Sequence, residues 1–371
     1  MKEKIVFIVN HDVVIYNFRR ELIERLLEME YEIHIFSPSG SRIDKLVEMG
    51  CIHKEINVNR HGTNILEDLK LVKRYLFEIK SVMPIAVLTY TIKPNIYGGI
   101  AAKLLKVPYI TNVTGLGNAI ENQNFIKKFS TKMYSFSLKR AYHVFFQNKA
   151  NLGYFEKDLD PKKYSLLPGS GVNLTQFKPL DYPKAKTINF LFLARIMKEK
   201  GIEEYLFVAK KLKKIYTHCN FHVAGFVDGD YEEVIKYEHE RGNIIYHGMV
   251  DNVTNLFQAM NCIVLPSYHE GMSNVLLEAS ASARPVIASN IPGCQEIIDD
   301  NETGFLCEVK NKLSLEEAVR KFIGLSFYEQ KIMGEAARRK VESNFNRDII
   351  IDYYTTRLGE IQNGKFISKD C

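Results

Sequence analysis

The chain lacks tryptophan altogether, and its six cysteines form no Cys-x-x-Cys pair. Without such pairs there is neither a disulfide framework nor zinc-ligand spacing, so we expect free thiols in a reducing compartment. No stretch approaches the roughly 18 apolar residues of a membrane-spanning helix, and the short apolar run at the N-terminus predicts a strand rather than a signal peptide. These absences predict a cytoplasmic protein that associates peripherally, if at all, with the inner face of the cell membrane.

A strong charge of one sign is also missing, because 50 Lys and Arg residues against 44 Asp and Glu residues leave a net charge of +6. This balance favours an anionic ligand or a membrane surface, and it is too small to indicate nucleic acid as a partner. Two acidic segments, 158–160 and 227–230, superficially resemble an Asp-x-Asp metal motif but lie in polar, loop-like contexts. We therefore expect no metal site and no other cofactor.

Short apolar runs alternate with amphipathic stretches along most of the chain. The runs predicted as strands cover 4–10, 31–36, 85–90, 109–114, 143–148, 164–169, 188–196, 220–225, 244–248, 262–267, 285–289 and 304–309. Such alternation predicts βα units built around parallel sheets. The Pro- and Lys-rich segment 179–187 interrupts the pattern and predicts a linker.

This interruption predicts two Rossmann-like, doubly wound α/β domains in tandem. We expect an N-terminal domain over residues 1–180, a C-terminal domain over residues 181–345, and a final helix within 346–371 that packs back toward the N-terminal domain. Open sheets of this kind bind ligands outside the carboxyl ends of their strands. The predicted ligand site is therefore a central cleft that both domains face.

The most informative stretch is LPSYHEGMSNVLLEASA, residues 265–281. It predicts a buried strand, a polar turn with Glu270 and Gly271, and a helix that contains Glu278. A helix N-terminus that follows a strand in this way can hold phosphate through its backbone N–H groups. The two carboxylates suit hydrogen bonds to the hydroxyls of a sugar and a ribose. Each one alone is also typical of a solvated loop residue or of an early-helix glutamate.

A second constellation lies at the end of another predicted strand. Arg195 ends the apolar run of FLARIMKEKGI, and Lys200 precedes the next helix. Arg and Lys on one strand-to-helix loop can both reach a diphosphate, the Arg in bidentate fashion and the Lys as a point charge. The alternative is a pair of solvated surface charges, although an Arg directly after a buried strand needs a partner if it is buried.

Taken together, FLARIMKEKGI (192–202) and LPSYHEGMSNVLLEASASARPVIASNIPG (265–293) resemble the GT-B glycosyltransferases, specifically the large retaining family four, or glycosyl transferases group 1. The family's two glutamates, separated by seven residues, are matched by Glu270 and Glu278. The resemblance is specific over about 188–310 and looser in the N-terminal domain. There the chain is most similar to enzymes of capsule, O-antigen and N-glycan precursor assembly, including N-acetylgalactosaminyl- and galactosyltransferases that act on polyprenyl-diphosphate sugars.

This resemblance implies a metal-independent, retaining transfer by front-face attack, from a UDP-sugar to a polyprenyl-diphosphate-linked saccharide. The transferred sugar would be a hexose or N-acetylhexosamine of the Gal, GalNAc or GlcNAc type. The implied catalytic residues are Arg195, Lys200, Glu270 and His11. The implied donor-binding residues are Arg195, Lys200, Gly225, His247, Val250, Glu270, Gly271, Met272, Ser273, Asn274, Val275 and Glu278. In this scheme the two glutamates contact the donor sugar and the ribose, while cations and N–H groups stabilise the leaving diphosphate.

The N-terminal domain is expected to bind the acceptor. Its candidate residues are His11, Asp12, Tyr16, Asn17, Lys93, Asn95, Thr114, Gly115 and Gly117. His11 is equally explained as a surface or capping histidine. Many family members have a glycine-rich turn after the first strand, and this chain has none before Tyr16, so the acceptor side departs from the family pattern.

A membrane-facing surface is predicted for residues 124–142. Aromatic residues and Met133 recur there at helical spacing, and lysines and Arg140 flank them. Helices of this composition lie in bilayer interfaces and prefer anionic lipids. The alternative is that the apolar stripe packs on its own sheet, as most such stripes do.

Other functions remain as alternatives. A nucleotide-sugar epimerase or a phosphorylase could share the GT-B fold, and a non-catalytic scaffold of a glycan assembly complex could keep the fold without transfer. The motif disfavours the first two, and the presence of the two glutamates, Arg195 and Lys200 disfavours the third. A dinucleotide dehydrogenase is a weak alternative, because no Gly-x-Gly-x-x-Gly follows the first strand.

Overall fold

The computed structural model describes residues 2–59, 64–114, 125–184 and 186–364. By its internal contacts the chain divides into two compact units. The first comprises the residues up to Ser170 together with those from Asp348 onward, and the second comprises Gly171–Arg347.

The first unit is built on a parallel, seven-stranded sheet. Its strands are β1 (Lys4–Ile8), β2 (Glu32–Ser37), β3 (Ile52–Glu55), β4 (Ala86–Tyr90), β5 (Tyr109–Val113), β6 (His143–Phe146) and β7 (Tyr164–Leu166), in the spatial order β3-β2-β1-β4-β5-β6-β7. Its helices before the second unit are α1 (Asp12–Glu28), α2 (Ile43–Glu48), α3 (Ile65–Val82), α4 (Gly99–Leu104), α5 (Phe125–Arg140) and α6 (Lys149–Gly153). A π-helical turn, Pro94–Gly98, precedes α4.

The second unit has a parallel, six-stranded sheet. Its strands are β8 (Ile188–Leu193), β9 (Cys219–Ala224), β10 (Ile245–Tyr246), β11 (Cys262–Leu265), β12 (Val286–Ser289) and β13 (Gly304–Cys307), in the order β10-β9-β8-β11-β12-β13. Its helices are α7 (Ile202–Ile215), α8 (Glu232–Glu240), α9 (Val253–Gln258), α10 (Asn274–Ala281), α11 (Lys312–Gly324) and α12 (Phe327–Asn344). The last helix, α13 (Arg347–Gln362), follows α12.

The central strands are covered on both faces, which explains why they read as continuous apolar runs. Successive residues of β1 alternate between two cores, with Ile5 and Phe7 in one and Val6 and Ile8 in the other. In β8 the alternate residues likewise divide between two cores of the second unit. Each unit is thus a sheet with helices on both sides, and the predicted pair of Rossmann-like domains is confirmed.

The division between the units falls earlier in the chain than the predicted boundary at 180/181. Val172 and Phe177 are buried in a core of the second unit. The segment predicted as a linker also belongs to this unit, where the buried Arg284 side chain donates hydrogen bonds to the carbonyl groups of Leu180 and Asp181. Buried contacts therefore tie these residues to the second unit in place of a free linker.

The chain returns to the first unit with its final helix. Tyr354 and Leu358 of α13 are fully buried in the same core as Ile5 and Phe7 of β1. The hydroxyl group of Tyr354 accepts a hydrogen bond of 2.7 Å from Asn112 of β5. Among the helices that the structure describes, none has the length and apolar character that crossing a bilayer requires.

Candidate functional site

Two strand-to-helix loops of the second unit meet at the carboxyl edge of its sheet. One follows β8 and leads to α7, and the other follows the neighbouring strand β11 and leads to α10. The backbone N–H of Tyr268 donates to the carbonyl oxygen of Glu199 over 2.8 Å, which joins the two loops directly. This is the edge at which open α/β sheets bind their ligands.

Gly201 permits the close approach of these loops. Its φ of 76° lies in the left-handed region that favours glycine. A Cβ atom at this position would lie 2.1 Å from the carbonyl oxygen of Pro266 on the other loop. Because Gly201 has no side chain, the first loop can lie close to the second, and this close contact sets the position of the neighbouring Lys200.

Lys200 and Glu270 form one hydrogen-bonded group between the loops. The Lys200 ammonium lies 2.6 Å from Glu270 Oε1, and the hydroxyl of Ser267 donates to the same oxygen over 2.8 Å. The two charged side chains are only 21% and 12% exposed, so solvent screens their attraction less than it would at the surface. The structure thus brings together the two residues that the sequence placed on separate loops, 70 positions apart.

The N-terminus of α10 lies directly after this pair in the chain. Ser273 caps the helix, since its hydroxyl oxygen accepts from the N–H of Leu276, and its own N–H donates to the carbonyl oxygen of Gly293. A Cβ atom on Gly293 would lie 2.7 Å from the carbonyl oxygen of Gly271. Met272 is buried beside the cap, while Asn274 and Val275 open the helix and are half-buried. The first N–H groups of a helix lack intrahelical acceptors, so this end of α10 can bind an anion.

Glu278 lies further along α10, where burial changes its pKa. Its side chain is half-buried in the structure. Burial raises the pKa of Glu278 from its ordinary value of 4.5 to about 7, and the positive charge of Arg347 opposes this rise. The two glutamates therefore offer different chemistry, because Glu270 is held by an ammonium group while Glu278 can be neutral or ionised near pH 7.

Arg195 stands at the same edge with its side chain in solvent. It is 61% exposed, and its guanidinium lies 3.4 Å from the carboxylate of Asp228. A pair of this exposure contributes little to stability. Arg195 is therefore a solvated cation in this structure, and a ligand phosphate could replace Asp228 as its partner without uncovering a buried charge.

The other predicted donor residues lie at the ends of β9 and β10. Gly225 has φ 138°, and a Cβ atom there would lie 1.8 Å from the carbonyl oxygen of Ala194. The ring of His247 stacks on the ring of His222 with 5.2 Å between the ring centroids. Nε2 of His247 lies 2.9 Å from Nδ1 of His222. Burial lowers the pKa of His222 to about 4, and it also lowers the pKa of His247. Val250 packs on the core beside them.

In the first unit, His11 and Asp12 start α1 after β1. His11 Nδ1 lies 3.1 Å from the N–H of Val13 and 2.7 Å from Asp12 Oδ1, and its tautomer decides which of the two it binds. In both cases the Nδ1 atom binds a group at the start of α1, which favours the alternative that His11 is a capping residue. Asp12 is buried, and its Oδ2 accepts from the backbone N–H of Arg42 over 3.2 Å.

Further candidates for the acceptor lie after β4 and β5. Lys93 and Tyr97 both bind the carboxylate of Asp68, at 2.7 Å and 2.6 Å. Asn95 is 1% exposed, and its amide donates to the carbonyl oxygen of Asn112 and to a tyrosine hydroxyl, which leaves the side chain no exposed surface for an acceptor. The remaining candidates are dispersed along the chain. Tyr16, Asn17 and Thr114 are within the described residues, whereas Gly115 and Gly117 lie outside them.

Sequence reasoning missed several residues that shape these loops. Ser267 binds Glu270, and Gly293 lets its loop approach the cap of α10. Tyr268 donates its hydroxyl to the buried carboxylate of Glu204 over 3.0 Å, and thereby anchors the second loop to α7. The Pro-Gly pair at 292–293 signals a turn in the sequence. The other two residues give no local signal, because their roles depend on distant partners.

Comparison with known proteins agrees with this geometry. The family model described as "Glycosyl transferase 4-like" matches residues 4–148, and the one described as "Glycosyl transferases group 1" matches residues 176–340. Together the two models span most of the chain. The second match contains both loops of the candidate site, from Arg195 to Glu278.

Individual relatives are distant but extend over most of the chain. The N,N'-diacetylbacillosaminyl-diphospho-undecaprenol alpha-1,3-N-acetylgalactosaminyltransferase of Campylobacter jejuni is 25% identical, over 95% of this chain and 97% of the relative. The UDP-Gal:alpha-D-GlcNAc-diphosphoundecaprenol alpha-1,3-galactosyltransferase of Escherichia coli is 24% identical, over 79% and 78%.

The fold can be compared with a solved structure as well. The crystal structure of a glycosyltransferase from Rickettsia africae superposes with a TM-score of 0.78, covering 98% of this chain and 99% of the other at 22% identity. At this identity the similarity establishes the fold. With the two family models, it shows that the chain belongs to the GT-B glycosyltransferases, with a glycosyl transferase 4-like domain followed by a glycosyl transferases group 1 domain.

Proposed function

We propose that this glycosyltransferase transfers a hexose or N-acetylhexosamine, of the Gal, GalNAc or GlcNAc type, from a UDP-sugar to a polyprenyl-diphosphate-linked saccharide. The observation that carries the proposal is the Lys200–Glu270 pair beside the N-terminus of α10. This arrangement places a cation, a carboxylate and the first backbone N–H groups of a helix at one sheet edge. Those are the groups that a diphosphate and a sugar hydroxyl require.

On the donor side, Lys200 and Arg195 bind the diphosphate together with the N–H groups at the start of α10. Glu270 accepts a hydrogen bond from the donor sugar, and Glu278 binds the ribose hydroxyls. Negative charge builds up on the leaving UDP during transfer, and fixed cations and N–H donors stabilise that charge most where it is greatest. This assignment gives the leaving group its stabilisation from protein groups, so we propose a metal-independent reaction without a further cofactor.

The stereochemical outcome is proposed to be retention, through attack of the acceptor on the face that the leaving group departs from. In such a reaction the leaving diphosphate can itself take the proton of the acceptor hydroxyl. A separate protein base is then unnecessary, and the roles of Glu270 and Lys200 remain those of binding and charge stabilisation. We also propose His11 as the catalytic residue on the acceptor side.

The acceptor is proposed from the names of the relatives. Both named transferases act on sugars linked through diphosphate to undecaprenol, and the name of the second specifies UDP-Gal as donor. A lipid-linked acceptor places the reaction at the inner face of the cell membrane, in the assembly of a bacterial surface polysaccharide or glycan. We propose that segment 124–142 contacts that surface. Within its described part, Lys132, Phe136 and Lys139 are exposed, while Tyr134 and Leu138 pack inward.

A ligand screen followed by a transfer assay tests this function. Because a ligand that binds only the folded state raises the melting temperature, the correct UDP-sugar should stabilise the protein when nucleotide-sugars are compared. That donor should then label a polyprenyl-diphosphate saccharide in vesicles, with the anomeric configuration of the donor kept. Activity that survives a chelator supports the metal-free mechanism. Loss restored by a divalent ion, or an inverted product, contradicts the corresponding part of the proposal.

A further inference from the structure

Three cations surround one tyrosine ring in the first unit. The guanidinium carbons of Arg20 and Arg42 lie 5.6 Å and 5.7 Å from the centroid of the Tyr16 ring, and the ammonium of Lys45 lies 5.6 Å from it. Tyr16 and Arg20 come from α1, while Arg42 and Lys45 come from the end of the β2–α2 loop and from α2. We call these four residues the Tyr16 cluster.

The cluster is held in place by the backbone. The buried Asp12 carboxylate accepts the N–H of Arg42, which binds the β2–α2 loop to the start of α1. A Cβ atom on Gly40 would lie 2.2 Å from Asp12 Oδ2, so the loop approaches this carboxylate as closely as a glycine allows. Asp12 is therefore a positioning residue for the cluster, because it fixes the backbone from which the Arg42 side chain extends.

The positive charges of the cluster are only partly neutralised. Arg20 is paired with Glu21 and Glu24, at 3.3 Å and 3.6 Å. Among the described residues no carboxylate lies within ion-pair distance of the Arg42 or Lys45 side chains. A tyrosine face attracts a cation only weakly at an exposed site. Arg42 and Lys45, two cations on one ring without acidic partners among the described residues, form a site that is ready for an anion.

We propose that the Tyr16 cluster binds the diphosphate group of the lipid-linked acceptor. This inference rests on the proposed function for the identity of the ligand, while the cation geometry stands independently of it. Arg42 can bind two phosphate oxygens at once through its planar fork, and Lys45 adds a compact charge beside it. Arg42 and Lys45 lie at the start of α2, which follows β2 at the carboxyl edge of the first unit's sheet, where ligands of this fold class bind.

A binding experiment on the full chain tests the site without knowledge of the acceptor sugar. Calorimetric titration with inorganic pyrophosphate and with farnesyl diphosphate is compared for the wild type and for Arg42→Ala/Lys45→Ala. The double variant should weaken the binding of both ligands by about tenfold or more, since it removes two charged hydrogen-bond donors to the phosphate oxygens. Arg42→Gln, which keeps the length of the side chain, should have a smaller effect in the same direction.

Two control variants separate this site from other cations. Lys103→Ala removes an exposed lysine of α4 in the same unit and should leave both affinities unchanged. Pyrophosphate can also bind at the proposed donor site, so the titration is repeated in the Lys200→Ala background, where the binding event that the double variant loses should remain. Unaltered binding in the double variant overturns the proposal, and so does an equal loss in Lys103→Ala. Orthophosphate that binds as tightly as pyrophosphate overturns the assignment to a diphosphate in favour of a free-phosphate site.

The same variants distinguish failure of the inference from failure of the proposed function. If the wild type transfers sugar to a polyprenyl-diphosphate saccharide and the double variant keeps its acceptor KM, the cluster does not bind the acceptor and the function stands. If no nucleotide-sugar supports transfer while the double variant still binds pyrophosphate more weakly than the wild type, the cluster is an anion site and the proposed function is wrong. A rise in acceptor KM with little change in donor KM supports both.

Discussion

The candidate donor site of the second unit and the Tyr16 cluster of the first differ in how their charges are balanced. In the second unit the Lys200 ammonium already lies 2.6 Å from the Glu270 carboxylate, with a serine hydroxyl on the same oxygen. In the first unit Arg42 and Lys45 converge on a tyrosine ring, and no carboxylate among the described residues pairs with either side chain.

This difference indicates two ways to prepare for a phosphate ligand. A paired lysine is held at a defined position, so the geometry exists before the ligand arrives and little has to be reorganised when charge develops. Cations that lack acidic partners repel one another, and an incoming anion relieves that repulsion. We therefore expect substitutions in the second unit to reduce the rate of transfer and those in the Tyr16 cluster to reduce ligand affinity.

The largest expected effect follows from Lys200→Ala. Removing a group that stabilises the leaving diphosphate should lower kcat by about 100-fold or more, since single stabilising donors in active sites contribute that much. The measurement is kcat, taken from the initial rate of sugar transfer at saturating donor and saturating acceptor. Lys198→Ala, which removes an exposed lysine from the same loop, should retain wild-type kcat. Equal rates for the two variants would mean that the Lys200–Glu270 pair is structural only.

Gly201→Ala tests whether the second unit depends on its preformed backbone. The new Cβ would meet the carbonyl oxygen of Pro266 at 2.1 Å and would also occupy a left-handed φ, so we expect destabilisation by about 2 kcal/mol or more. Gly242 has a similar φ of 67°, but a Cβ atom there would have no neighbour within 4 Å. The Gly242→Ala variant therefore measures the cost of the left-handed backbone conformation alone. Melting temperatures check this prediction, and a Gly201 variant as stable as the Gly242 variant would refute the close approach of the two loops.

A smaller effect is expected for Gly40→Ala in the first unit. The added methyl group must displace the Asp12 carboxylate or the loop that carries Arg42, so pyrophosphate affinity should fall by several-fold, less than in the double variant. Gly153→Ala, at a position with open space around it, serves as the matched control. If the Gly40 variant bound pyrophosphate as the wild type does, Asp12 would not position the cluster.

The smallest expected effect concerns Glu278 and pH. Because its folded-state pKa of about 7 lies above the ordinary value of 4.5, the folded state holds the proton more tightly than the unfolded state does. The stability that protonated Glu278 confers is present below its unfolded pKa and is lost as pH rises through its folded pKa. Between about pH 5 and about pH 8 the melting temperature of the wild type should therefore fall more steeply than that of Glu278→Gln. Parallel curves would show that Glu278 keeps an ordinary pKa.

Most of the fold could be predicted from the sequence because the central strands are buried on both faces. Runs such as 85–90 and 262–267 are mainly apolar, and they contain the central strands β4 and β11, which are buried along their whole length. The strand β3 was missed because it lies at the sheet edge, where Ile52 is 47% exposed and no apolar run marks it. The segment 179–187, predicted as a linker between the domains, lies within the second unit, and the sequence could not show this because Arg284, which binds the carbonyl groups of Leu180 and Asp181, is distant in sequence.

The sequence by itself determined the doubly wound architecture and the glycosyltransferase family, and it named Lys200 and Glu270 as candidates for one site. The architecture follows from apolar periodicity, which is a property of neighbouring residues, and the family follows from the resemblance of segments 192–202 and 265–293 to known glycosyltransferases. Only the tertiary structure decided that Lys200 pairs with Glu270, that Arg195 pairs with Asp228 in solvent, and that Arg42 and Lys45 gather at Tyr16. The physical reason is that sheet order and close backbone contacts set the distances between loops, and no local pattern records them.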